Sequence, residues 1–268
     1  MSDLPKRLGV ALWGIPLLLL ALYFGGPYLA VLISLLLFLL AREWQYLGRC
    51  VGIEIPLAFL WLSAAAVLSV QFSTGNRLAV SATILLLLVL IVAQIVRSSR
   101  APLRDLGHLA LWLFYIVFPI SLWWTIRLVE GVAETHGRLW LIALFVCVWA
   151  TDTAAYAAGR AVGKHRLMPA ASPNKSWEGA IAGVFAALLV PVVLRLLGLF
   201  DFTGWDVVAF AIAVGIFGQA GDLLESLMKR EAGVKDSSQF LPGHGGLLDR
   251  FDSLFLATPA LYLYLFIR

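Results

Sequence analysis

Three acidic stretches interrupt otherwise apolar sequence. "VWATDTAAYAAGR" carries Asp152, with Tyr156 four residues later on the same helical face and Arg160 at its end. "GQAGDLLESLMKR" carries Gln219, Asp222, Ser226 and Lys229 at spacings of three, four and three, with Glu225 adjoining. A helix there puts nearly all of its polarity on one stripe. "LLDRFDSLFL" carries Asp249, Arg250 and Asp252, and the i, i+3 spacing places both aspartates on one face. An ionised carboxylate among apolar helices is costly unless a cation or a water-filled cavity receives it. Salt bridges to Lys229, Arg230 and Arg250 would satisfy any one of these acids. Five acids gathered at the ends of three stretches exceed what bundle assembly needs. A hard divalent cation such as Mg²⁺, bound by carboxylates and shared with a substrate phosphate, would satisfy the group.

The polar loops beside these acids are basic. "KREAGVKDSSQFLPGHGGLLDRFD" mixes Lys229, Arg230 and Lys235 with Gly243, Gly245 and Gly246. Glycine lets backbone N–H groups approach an anion, and the cations neutralise phosphate charge. The GxxxxGK[ST] spacing of a P-loop is absent. His244 has no second histidine at ligand spacing, so zinc is not indicated. The other loop, "GRAVGKHRLMPAASPNKSWEG", supplies Arg160, Lys164, Arg166 and Lys175, with Asn174 or Ser176 able to cap the helix that follows. Lys175 then lies at the mouth of a helix N-terminus, where an anion is already favoured. Lys164 and Arg166 read as topology-setting charge.

The elements that must position these groups are membrane helices. Of the 268 residues 61% are hydrophobic and 13% charged, and the mean hydropathy is +0.91. A soluble domain would carry more charge, so the expected class is an all-α polytopic membrane protein. Apolar length gives about nine transmembrane helices, near 8–24, 27–42, 55–72, 78–96, 107–127, 138–158, 178–198, 205–228 and 251–267. "GGP" between the first two predicts a tight helical hairpin. With the N-terminus cytoplasmic, every Lys and Arg except Arg77, Arg127, Arg138, Arg195 and Arg268 falls on the cytoplasmic side, which favours that orientation. The same rule accounts for a pI of about 9.2 without nucleic acid. Lys6 and Arg7 precede an apolar run without a small-residue cleavage site, so the N-terminus reads as the first span. Cys50 and Cys147 form no CxxC pair, so neither a disulfide framework nor a thiolate metal site is indicated. Most of the ten tryptophans, Trp44, Trp123 and Trp124 among those at span ends, are expected in the aromatic belts of the lipid–water boundary. The chain reads as one integral membrane domain over 1–268.

The segment 226–252 resembles the signature of the phosphatidate cytidylyltransferases, or CDP-diacylglycerol synthases. The pattern S-x-x-K-R, four residues, K-D, then P-x-H-G-G and D-R-x-D is met by Ser226, Lys229, Arg230, Lys235, Asp236, Pro242, His244, Gly245, Gly246, Asp249, Arg250 and Asp252. "SPNKSWEG" and "DTAAYAAGR" are similar to further family segments, so the resemblance covers the C-terminal half, from about 138 to 268. It implies reaction of CTP with phosphatidic acid, giving CDP-diacylglycerol and pyrophosphate for phospholipid biosynthesis. It implies Mg²⁺ on Asp222 and Asp249 and suggests a second cation such as K⁺. Catalysis would rest on Asp222, Asp249, Lys229, Arg230, Lys235, His244 and Arg250. Substrate binding would involve Lys175, Asn174, Ser226, Asp236, Gly245, Gly246, Asp252, Asp152 and Tyr156. A homodimer in the cell's inner membrane, with its active site facing the cytoplasm, is also implied.

Other readings make different demands. A CTP-dependent lipid kinase also combines many spans with acidic and glycine-rich loops, but yields CDP rather than pyrophosphate. The D-x-x-D-G-x-x-A-R pattern of CDP-alcohol phosphotransferases is absent. A secondary transporter would show two related halves with acids near the midplane, whereas here they gather at span ends and no repeat is evident.

Overall fold

Helix follows from apolar length along most of this chain. The computed structural model describes residues 4–73, 77–97, 101–128, 135–238, 240 and 245–268. Helix α1 spans Leu4–Phe24 and α2 spans Gly26–Cys50. Only Gly25 separates them, at φ 65°, and Gly26 follows at φ 49°, so the glycine pair takes the left-handed conformations the tight turn requires. Then come α3 (Leu57–Phe72), α4 (Arg77–Val96) and α5 (Pro102–Arg127), the last with a wider π turn at Trp112–Val117. Helix α6 (Thr135–Val162) leads into an antiparallel hairpin of β1 (Arg166–Met168) and β2 (Ser172–Ser176). Helices α7 (Trp177–Leu196), α8 (Gly204–Glu231) and α9 (Leu248–Ile267) complete the order, with a π segment at Ala211–Gly218 inside α8.

Seven helices among the described residues are long and apolar enough to cross a membrane, while Leu12–Phe24 and Leu57–Phe72 are shorter apolar helices. The all-α polytopic membrane class is therefore the observed one. The hairpin is the departure, since its segment reads as loop in sequence. Helix boundaries also move outward. The second span was expected to stop at 42, yet α2 runs to Cys50 because Glu43, Trp44 and Leu47 turn inward and are buried there.

The chain divides into two compact units. The first comprises Met1–Thr125 with Glu231–Asp249. Its core is a stripe on α2 (Leu29, Ile33, Leu36, Leu40 and Trp44), with Leu60 on α3 and Trp112 and Ile116 on α5. Trp112 Nε1 donates to Ser63 Oγ at 3.1 Å, and Trp44 Nε1 donates to the His108 carbonyl at 3.2 Å while its ring stacks on His108 at 4.5 Å. Trp44 and Trp123 are thus fully buried core residues rather than members of an interfacial belt. A buried indole is stable here because its N–H finds an acceptor.

The second unit comprises Ile126–Arg230 with Arg250–Arg268. Small residues bring α6 and α7 together. A Cβ on Gly179 would sit 2.6 Å from the Ala155 carbonyl oxygen, and one on Gly183 would sit 3.1 Å from Thr151 Cγ2. Close backbone approach of this kind is how apolar helices associate where no water is left to expel. At one end of this unit Asp206 caps α8 reciprocally with Thr203, accepts from Tyr264 Oη at 2.6 Å and pairs with Arg268 at 3.3 Å. A fully buried carboxylate is tolerated there because each oxygen has a donor.

Candidate active site

The acidic stripe of α8 and the start of α9 meet in the second unit. Single carboxylate oxygens of Asp222, Glu225 and Asp252 lie within 4.8 Å of one another. Glu225 is fully buried, whereas Asp222 and Asp252 are half-buried. Lys229, one turn after Glu225, brings its Nζ to 2.6 Å from Glu225 Oε2. Lys175, at the end of β2, pairs with Asp222. Asp222, Glu225 and Lys229 thus lie along one helix, and a cation from the preceding loop reaches Asp222.

Position follows from local structure. Ser176 is the N-cap of α7 and accepts from the Gly179 N–H at 3.2 Å. Of the two candidate caps, Ser176 takes the role and Asn174 stays on the strand. That cap fixes Lys175 between hairpin and helix. Glu178 in the first turn of α7 accepts from the backbone of Lys164 at 3.1 Å and meets His165 Nδ1 at 2.7 Å, tying the entry strand to the helix. Arg230 Nε donates to the Ala171 carbonyl in the hairpin turn at 3.4 Å. Gln219 donates to the Ala180 carbonyl at 3.0 Å, linking α8 to α7.

A cavity of about 510 Å³ opens beside this cluster, and Asp152, Tyr156, Arg160, Asn174, Lys175 and Asp222 are among its lining residues. Tyr156 Oη accepts from Arg160 at 3.2 Å, so the aromatic residue of α6 orients a guanidinium. Asp152, Tyr156, Asn174, Lys175 and Asp222, all singled out in the sequence, thus share one cavity. Ser226 is half-buried and Arg250 exposed, both in the same unit.

Lys235, Asp236, Gly245, Gly246 and Asp249 belong to the first unit. Lys235 and Asp236 are exposed. Asp249 Oδ2 accepts from the Ser237 N–H at 3.1 Å and the Gly246 N–H at 2.8 Å, and the Ser237 hydroxyl stands 3.1 Å away. Gly245 adopts φ 78°, and a Cβ there would sit 2.8 Å from Asp249 Oδ2. The glycines therefore let the backbone fold tightly around this aspartate. His244, with Gly243, lies outside the described residues.

Sequence reasoning missed Glu43. "AREWQYLGR" looks like the interfacial end of a span, yet Glu43 is 4% exposed and four donors converge on it. The available signal was an acid beside residues that continue the apolar stripe of α2, Leu40, Trp44 and Leu47.

Three carboxylates so close together form a set of hard oxygen donors, which suits Mg²⁺ better than a soft or nitrogen-seeking metal. The donor chemistry of Asp222, Glu225 and Asp252 is of the kind the expected cation takes.

Residues 5–268 match the sequence pattern of a cytidylyltransferase family. A phosphatidate cytidylyltransferase of Staphylococcus haemolyticus is 33% identical over 254 residues, covering 94% of this chain and 93% of that protein. One of Staphylococcus saprophyticus is 33% identical over 246 residues, covering 90% of this chain and 91% of its own. One of Staphylococcus aureus reaches 45% identity over 132 residues, about half of each chain.

Proposed function

This chain belongs to the cytidylyltransferase family, and on that footing we propose that it transfers CMP from CTP to phosphatidic acid, forming CDP-diacylglycerol and pyrophosphate. The carboxylate trio Asp222, Glu225 and Asp252, flanked by Lys175 and Lys229 beside a cavity, is the observation that carries the reading. A phosphatidate oxygen attacks the α-phosphorus of CTP, and the bond from that phosphorus to the β-phosphate oxygen breaks. The nucleophile is already anionic, so no strong general base is required. The demand is to bring several negative charges together and align them.

Asp222, with Glu225 and Asp252, would hold Mg²⁺. Asp249 stays a proposed ligand on the family resemblance, its Oδ2 engaged by Ser237 and Gly246 within its own unit. When bound, Mg²⁺ neutralises phosphate oxygens and draws charge from the α-phosphorus; a second cation such as K⁺ would add to that neutralisation. Lys175 and Lys229 hold the carboxylates in place before substrate arrives and can turn to phosphate oxygens afterwards. Arg160, held by Tyr156, and Asn174 offer further donors to the same cavity. Lys235 and Arg250 are further proposed phosphate-binding residues on the family resemblance.

The site would face the cytoplasm from the inner membrane, with the N-terminus on that side, in a homodimer. The positive-inside distribution supports this orientation. CTP then arrives from water while the acyl chains stay in lipid.

Labelled CTP tests the reaction. Label in the α-phosphate should pass into the lipid fraction, and label in the γ-phosphate should stay in the aqueous phase as pyrophosphate. Transfer of the γ-label to lipid would identify a kinase and reject the proposal.

A further inference from the structure

Glu43 lies on α2, about two hundred residues from these partners in sequence, yet its carboxylate binds two separate stretches of the signature segment, 237–238 and 247–248. Oε1 accepts from Ser238 Oγ at 2.6 Å and from the Leu247 N–H at 2.9 Å. Oε2 accepts from Ser237 Oγ at 2.9 Å and from the Leu248 N–H at 2.8 Å. Two donors on each oxygen fill the acceptor capacity of a carboxylate. Ser237 and Leu248 are completely buried and Glu43 nearly so, so water has little opportunity to replace these partners.

Two further observations support a fixed conformation. The Ser237 hydroxyl lies within hydrogen-bond distance of both Glu43 Oε2 and Asp249 Oδ2, at 2.9 and 3.1 Å, while the Ser237 N–H donates to Asp249 Oδ2 at 3.1 Å, so one serine stands between the α2 carboxylate and the signature aspartate. At Gly246, a Cβ would collide with Ser237 Oγ and come within 2.6 Å of Glu43 Oε2. The glycine leaves the space that the carboxylate occupies. The exposed Lys235 and Asp236 immediately precede the clasped serines, and Asp249 immediately follows the clasped leucine.

We propose that Glu43 is a positioning residue for catalysis: by holding residues 237–238 and 247–248 at once, it fixes the backbone that carries Lys235, Asp236 and Asp249, residues that the proposed function assigns to CTP and its metal. The inference rests on the cytidylyltransferase reading above. It assigns Glu43 no contact with substrate, only control of Ser237, Asp249 and the backbone beside them. Glutamine is nearly isosteric but turns one oxygen into an NH₂ donor facing two donors, so Glu43→Gln should break half of the clasp without opening a cavity.

The test uses the purified full-length protein in mixed micelles containing phosphatidic acid and Mg²⁺, varying each substrate separately. Glu43→Gln should raise KM for CTP by about tenfold or more while KM for phosphatidic acid stays within about twofold. Ser238→Ala, which removes one donor and leaves three, should move KM for CTP in the same direction by about threefold, and keeps the question answerable if Glu43→Gln fails to fold. Glu54→Gln, exposed after α2, should match wild type. Unchanged kinetics in Glu43→Gln, or in Ser238→Ala if only that variant folds, would overturn the inference. So would a loss confined to the amount of active protein with KM for CTP unmoved, because that is what a purely structural role produces. Failure of the wild type to release pyrophosphate would instead reject the activity reading itself.

Discussion

Lys229 Nζ and Glu225 Oε2 lie 2.6 Å apart one turn along α8, and Glu225 is entirely withdrawn from solvent. A buried pair of this kind is destabilising to break from one side, because the remaining charge loses its partner. Lys229→Met alone should therefore cost about 3–5 kcal/mol of stability. Lys229→Met combined with Glu225→Gln should recover most of that loss while remaining inactive. Unfolding in mixed micelles measures the first effect and pyrophosphate release the second. A double variant as unstable as the single one would show that the pair is not what stabilises α8.

Asp222 is held by Lys175 from the hairpin and stands within the carboxylate trio. Asp222→Asn should leave the helices inserted and the unfolding midpoint near wild type, yet lower turnover by at least about a hundredfold. The Mg²⁺ concentration giving half-maximal rate should rise in whatever activity remains. Near-normal turnover at low Mg²⁺ would remove Asp222 from the ligand set.

At Gly246 the backbone N–H donates to Asp249 while the space for a Cβ is already filled by Ser237 and Glu43. Gly246→Ala should displace one of these groups at a cost of about 1–3 kcal/mol, expressed locally. Protease susceptibility of the 231–249 segment should rise, while that of α6 and α7 should not.

Orientation has its own consequence. If the N-terminus is cytoplasmic and nine segments cross, a reporter fused after Arg268 should be active only outside the cytoplasm. Activity in the cytoplasm would reverse the proposed topology.

Much of this was legible in the sequence because a membrane helix is specified by its own length and apolarity. Among the described residues seven of the expected spans appear as long apolar helices and two as shorter ones, and the Gln219, Asp222, Ser226, Lys229 stripe stands out because charge within such runs is rare. Other features depend on partners that are distant in sequence. The pairing of Arg166–Met168 with Ser172–Ser176 joins short polar strands that have no periodicity of their own. Trp44 resembles an interfacial residue until the His108 carbonyl and ring are placed beside it. Glu43 shows only its place beside the apolar stripe of α2, and its role stays hidden because all four donors come from residues 237–248. The helix extensions at 43–50 were missed because polar residues end a span without ending a helix.

A trio of buried and half-buried carboxylates, in the proposed function, serves CTP-dependent transfer to a lipid phosphate. Pyrophosphate release by the purified chain, with CTP, phosphatidic acid and Mg²⁺ each withheld in turn, tests it most directly. Release is expected only when all three are present, with near-silence from Asp222→Asn under the complete mixture. Release that persists without phosphatidic acid or without Mg²⁺, or an Asp222→Asn protein as active as wild type, would contradict it.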